Sequence, residues 1–200
     1  MQSSLHKKAL YLSYFTVGYN IAEAAASIVF GWLAGSIALI GFGLDSLVES
    51  LSGCIMIWRF SKKGLTPEQE ERIERLATRL VAITFFVLAA YISYESITNL
   101  AYREIPDTSL AGIIIAIVSI IVMPILFRLK YNTGKALGSK SLVADSKETL
   151  ACTVLSVALL AGLSANYLFG FWQADPIVGI IVAAYLIKEG YETYTEDDED

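Results

Sequence analysis

The sequence predicts an all-α membrane protein, a six-helix transmembrane bundle with both chain ends cytoplasmic and no soluble domain. Three observations carry this reading. Of the 200 residues, 55% are hydrophobic, and the mean hydropathy is positive. The apolar residues come in runs of about 20, the length a bilayer core demands of a helix, rather than in periodic stripes. The polar stretches between the runs are too short to fold by themselves.

The spans are expected at roughly 9–32, 36–60, 77–101, 108–129, 141–165 and 176–192, giving a transmembrane unit over 1–192 and an acidic cytoplasmic tail over 193–200. MQSSLHKK leads directly into a run longer than a signal peptide's apolar core, so the first helix is expected to be retained. The short GWLAGS connection forces spans one and two into an antiparallel hairpin. Thr66-Pro67-Glu68-Gln69 has the form of a capping box with proline at the first helical position, so the third helix starts in water before it enters the bilayer. Glu68 with Arg72, and Glu71 with Arg75, would brace that turn at i,i+4. Pro124 should bend the fourth helix near its end, and Asp175-Pro176 is a start signal for the sixth.

Orientation follows from the basic residues. Lys7 and Lys8 precede span one, Arg59 to Arg79 surround the second connection, Arg128 to Lys140 fill the fourth, and Lys188 closes the last. Arg103 is the lone base on the other side. By the positive-inside rule both ends face the cytoplasm, in a multi-pass protein of the cytoplasmic or cell inner membrane. The net charge of −5, part of it from TEDDED, gives no bulk basicity for nucleic acid. Cys54 and Cys152 both fall inside spans, which argues against a disulfide framework.

Within span two, SIALIGFGLDSLVES places Asp45 and Glu49 deep in an apolar run. A carboxylate near the centre of a membrane helix costs several kcal/mol without a partner, so it marks a site by default. The i,i+4 spacing sets both on one helix face, about 6 Å apart along the axis. In span five, KSLVADSKETLACTVLS carries Asp145, Glu148 and Cys152 within about 60° of one another. Counting about 1.5 Å per residue from opposite ends brings Asp45 level with Cys152, and Glu49 level with Glu148, near the midplane. Three carboxyls and a thiol could form a tetrahedral site for a divalent metal such as zinc. Crowded there, they cannot all ionise at once, so a metal would displace protons. A midplane site of this kind suits a secondary transporter.

SIALIGFGLDSLVES, SLVADSKETLACTVLS and GFWQADPIVGIIVA resemble the second, fifth and sixth helices of the cation diffusion facilitator (cation efflux) family, and the resemblance extends over nearly all six spans. It implies a proton-coupled exporter of zinc and related divalent metals, with divalent metal ions and protons as its exchanged partners, membrane lipid around it and a homodimeric assembly. No cofactor is implied. The family's transport site is formed by two residues on helix two and two on helix five, which map by motif onto Asp45, Glu49, Glu148 and Cys152. Glu148 stands where His is usual and Cys152 where Asp is usual, and the sulfur tilts the expected cargo toward zinc with cadmium as surrogate. This ligand set, with YNIAEAAASIVFGWLAGS in helix one, is similar to a small branch lacking the family's cytoplasmic C-terminal domain. A chain ending at YETYTEDDED fits that branch or a truncation.

Other polar groups have competing readings. Asp145 would cap span five, pair with Lys140 or Lys147, or line the inner mouth of a metal path. Glu23, midway along span one, is a candidate proton carrier or outer-shell partner, or an ordinary packing contact. Cys54 is expected as a buried filler turned away from Asp45, His6 as a side chain in a flexible tail, and Glu95 as part of an interfacial belt with Tyr91 and Tyr94. Gly41 and Gly43 should permit close helix approach. A Cys152 nucleophile would lack a base, since His6 is the sole histidine. A closed ligand set is too retentive for a channel. A non-transporting metal sensor or accessory subunit would use the same residues.

Overall fold

The computed structural model describes residues 2–34, 37–62, 64–102, 110–169 and 173–195. These form six helices: α1 (Gln2–Ala34), α2 (Ile37–Ser61), α3 (Pro67–Tyr102), α4 (Leu110–Leu137), α5 (Lys140–Phe169) and α6 (Ala174–Thr195). Apart from Ser36, Thr108 and Ser109, which lie outside the described residues, the predicted spans fall on these helices. Most run further than predicted at the end where the bases cluster, and α6 takes in the first residues of the expected tail. Arg103, the start of the α3–α4 connection and residues 196–200 lie outside the described residues.

Among the described residues, α2 (over Leu39–Ser61), α3 and α4 are each long and apolar enough to cross a membrane on their own. Helix α5 carries a polar row, and that row is turned inward: Ser141, Asp145, Ser146, Glu148 and Thr149 are all fully buried. Its outward face shows residues such as Val154 and Val157. A bundle with apolar residues outside and polar residues inside is what lipid selects. The protein is a multi-pass integral membrane protein.

The helices pack most closely as α1 with α2, α3 with α6 and α4 with α5, while α2 and α5 meet more lightly across the centre. An apolar core of Met56, Phe85, Leu88, Leu142 and Leu186 welds α3 and α6 to α2 and α5. At Gly43 an added Cβ would lie 2.8 Å from Ile28 and 3.0 Å from the Ala24 carbonyl, so the glycine permits the tight α1–α2 approach.

One end of the bundle is clasped by polar contacts. The capping box forms as the sequence predicts, with the Thr66 amide donating to Gln69 Oε1 (3.0 Å) and the Gln69 amide to Thr66 Oγ1 (3.3 Å). Glu71 pairs with Arg75 at 3.3 Å. Arg59 at the end of α2 pairs with Glu74 on α3. Glu74 also accepts from the Ser139 hydroxyl (2.8 Å) and the Ser141 amide (2.9 Å), which ties in the α4–α5 turn. Lys147 on α5 reaches Glu189 on α6 at 2.5 Å. His6 belongs to α1 rather than to a flexible tail, and lies 3.6 Å from Glu70. The N-terminal end of α1, the α2–α3 and α4–α5 connections and the C-terminal part of α6 therefore share this basic end.

Pro124 sits inside α4, which continues past it to Leu137 instead of ending near residue 129. The helix stops at Gly138, whose φ of 67° is left-handed. The Ser139 amide closes back on the Gly134 carbonyl at 3.0 Å and the Gly138 amide on Lys135 at 3.3 Å, a glycine-terminated helix end. Gly138→Ala should cost about 1 kcal/mol because a Cβ disfavours that φ, read as a lower unfolding midpoint of the purified protein. Burial alone would raise the Glu74 carboxyl, but the Arg59 guanidinium, the Ser141 amide and the Ser139 hydroxyl together hold it below its ordinary value of 4.5. Since folding lowers this pKa, the stabilisation is complete above that value and fades as the carboxyl protonates below it. The stability gap between wild type and Glu74→Gln should therefore stay constant from neutral pH to about pH 5 and shrink in more acidic buffer.

Candidate metal centre

Where α2 crosses α5, two rows of polar side chains face each other. Asp45 and Glu49 project from one side, Asp145, Glu148, Thr149 and Cys152 from the other, and Asp45 at 2% is the most exposed of the six. The Cys152 thiol donates to Asp45 Oδ2 at 3.0 Å, so these two residues are level, as the helix arithmetic requires. One turn on, Thr149 Oγ1 donates to Glu49 Oε1 at 2.6 Å. Ser52 donates to Asp145 Oδ1 at 2.7 Å.

Several oxygens in this row are left over. Among the described residues, Asp45 Oδ1, Glu49 Oε2 and both carboxylate oxygens of Glu148 have no hydrogen-bond partner. The hydroxyls nearest Glu148 are committed elsewhere, Ser52 to Asp145 and Thr84 to the Val81 carbonyl at 2.7 Å. Orphaned buried acceptors are costly, and acceptors of this kind converging between two helices suit a cation or protons. Among the described residues no three His, Cys, Asp or Glu side chains are gathered closely enough to hold a metal ion. In this conformation the ligand candidates instead hold one another and neighbouring hydroxyls.

Asp145 pairs with a lysine other than the two expected, and Lys147 is engaged by Glu189 on α6. Lys130, fully buried on α4, donates to Asp145 Oδ2 at 2.8 Å and to Thr149 Oγ1 at 2.9 Å. Because Thr149 passes its own proton to Glu49, a continuous chain runs from Lys130 through Thr149 to Glu49. The sequence reading missed Lys130 by assigning it to the loop after span four. A signal was present: the buried positions of α4 include Ala116, Ser119, Met123, Leu126, Lys130 and Thr133, alternating three and four apart, and Lys130 keeps that period.

Glu23 on α1 accepts from the Tyr19 hydroxyl and the Ser46 hydroxyl, each at 2.9 Å, so both its oxygens are satisfied. It adjoins the row through Ser46, the neighbour of Asp45. Cys54, expected inside, is exposed on the outer surface of α2. Glu95, expected at an interface, lies against Gly41 on α2 and lines a cavity that reaches Asp45.

The profile of the cation efflux transmembrane domain matches residues 13–197. Similar proteins include transmembrane protein 163 of Xenopus laevis, 24% identical over 92% of this chain and 65% of its own length. An uncharacterized transporter of Methanocaldococcus jannaschii is 28% identical over 86% of this chain and 62% of its own. A cadmium, cobalt and zinc/H(+)-K(+) antiporter of Bacillus subtilis is 24% identical over 93% of this chain and 60% of its own. The chain thus spans somewhat less than two thirds of the length of these relatives.

Removing one member of a buried ion pair strands the other. Lys130→Met should lower stability by about 3–5 kcal/mol, and adding Asp145→Asn should restore much of that loss. Thermal unfolding of the purified single and double variants checks this.

Proposed function

The chain belongs to the cation efflux family, and from that premise we propose that it exports a divalent transition metal, zinc foremost, from the cytoplasm in exchange for protons. The observation that carries the proposal is the facing of Asp45 and Glu49 with Glu148 and Cys152 at full burial, with unpartnered carboxylate oxygens in between. Asp45, Glu49, Glu148 and Cys152 are the ligands. The antiporter name borne by the Bacillus subtilis relative supports the reaction class.

Each ligand has a job in the cycle. Without metal, protons and hydroxyl donors satisfy the acidic row, as the Cys152–Asp45 and Thr149–Glu49 bonds do. A metal ion draws the carboxylates and the thiolate inward and expels the protons they held, so occupancy by one excludes the other. Release to the opposite side lets protons return, and the exchange is obligatory because buried acids left charged and bare would cost several kcal/mol. The light α2–α5 contact lets the two rows part and close without breaking a large apolar interface. The basic end faces the cytoplasm by its lysines and arginines. Asp145 stands on the metal path from that side, held by Lys130, and Glu23 supports the site through Ser46. Two copies make the working unit, a reading that rests on family resemblance.

Asp45→Ala and Glu49→Ala should each abolish zinc flux in proteoliposomes while the protein still elutes as a folded species. Zinc flux at the wild-type rate in both variants would defeat the assignment. Cys152→Asp should keep zinc transport but turn preference away from cadmium, because an oxygen donor replaces the soft sulfur. A competition assay between the two metals reads the change.

A further inference from the structure

A cavity of about 60 Å³ opens from Asp45 toward the end of the bundle opposite the basic clasp. Its polar lining is Asp45 on α2 with Tyr91, Glu95, Ser96 and Asn99 on α3. The rest of the wall is apolar, from Phe42 and Leu155 to Pro176. From Tyr91 to Asn99 the α3 residues climb about 12 Å, so they form a ladder leading away from the midplane. The volume accommodates an ion with one or two waters.

Two features show that this space is built for a cation rather than left by poor packing. Asp45, 2% exposed, gives Oδ2 to the Cys152 thiol and keeps Oδ1 without a partner on the residue where the cavity begins. Glu95 lies against Gly41: a Cβ there would fall within its carboxylate and push it aside. Gly179 on α6 gives Ser96 the same room. Glycines on two helices thus make space for polar groups of α3 in a region that lipid would otherwise fill with apolar side chains.

We propose that Glu95, with Asp45 Oδ1 and the Asn99 side chain, forms a second divalent-cation subsite that receives the metal from the Asp45–Cys152 centre on its way out. The subsite rests on the reading of the protein as a carrier of divalent metal. Asp45 bridges the two positions, one oxygen for each, as carboxylates do in paired-metal sites. The ligands are oxygen donors and the walls give room for water, so the ion is held more loosely here than beside the thiolate. A loose outer position favours release.

The test uses the full chain in lipid nanodiscs and proteoliposomes, with Cd²⁺ as the probe. Equilibrium dialysis of wild type should show one tight and one weaker Cd²⁺ ion per chain. Glu95→Gln should lose the weaker ion and keep the tight one, while Glu95→Asp keeps both. Gly41→Ala, which displaces the carboxylate without changing any charge, should act like Glu95→Gln and serves if that variant fails to fold. In flux assays, Cd²⁺ added on the release side should inhibit wild type, and Glu95→Gln should weaken that inhibition by at least about tenfold, the scale on which loss of even an outer-shell partner acts. Unchanged binding stoichiometry in both Glu95→Gln and Gly41→Ala would overturn the subsite, as would unchanged inhibition from the release side. Loss of the weaker ion in a protein that shows no flux at all would leave the subsite standing and remove the transporter reading instead.

Discussion

A carboxyl group enclosed between lipid-embedded helices must find a proton, a cation or a donor, and the arrangement of this bundle answers to that requirement. Four acids lie at full or nearly full burial along the α2–α5 crossing. Their burial leaves little water to screen their charge, so each polar neighbour counts. Thr149 serves Glu49, Ser52 serves Asp145, the Cys152 thiol serves Asp45, and Lys130 supplies the one full positive charge in the row. Glu148 and single oxygens of Asp45 and Glu49 remain unserved. On the proposed reading these unserved oxygens are where metal and protons compete, because serine or threonine would have served structure alone more cheaply.

The two ends of the bundle differ in kind. At the basic end, Arg59, Glu74, Ser139 and Ser141 bind α2, α3 and the α4–α5 turn into one clasp, and Lys147–Glu189 adds α6. At the other end, the space between α2, α3, α5 and α6 holds a cavity lined by Glu95 and Asn99. Ion pairs at a water-exposed end are modest individually but gain from being networked and partly buried. Polar contacts thus clasp the helices on one side of the acidic row, and on the other a cavity reaches Asp45 itself.

Six helices, the capping box and the level pairing of Asp45 with Cys152 were legible in the sequence, because each depends on local rules: run length, a four-residue cap, and a fixed rise per residue. Orientation about the helix axis was harder. Cys54 was expected inside and is outside, because a hydropathy run is apolar all round and does not say which face meets lipid. Lys130 was read as a loop base, because a charged residue after an apolar run normally ends the span. Its period with Met123 and Leu126 places it on the seam instead. Glu95 was assigned to an aromatic belt from its neighbours, whereas the feature that locates it is Gly41, a residue on another helix that sequence order does not connect to it.

Lys130 sets the sign of the field at the basic end of the row. With Asp145 at 2.8 Å it forms a neutral pair, so from that side the first ionised carboxylate is already matched and offers little to a passing cation. On the proposed metal path, an arriving divalent ion gains Asp145 only by separating it from Lys130, and a double charge about 4 Å from the ammonium is repelled by roughly 8 kcal/mol even at an effective dielectric of 20. Lys130 moving aside also withdraws its donor from Thr149, whose own bond fixes Glu49. Displacing the lysine thus loosens the group that holds the central glutamate. On that proposed path the ammonium is a tethered occupant that leaves its place before a mobile cation takes the acids behind it.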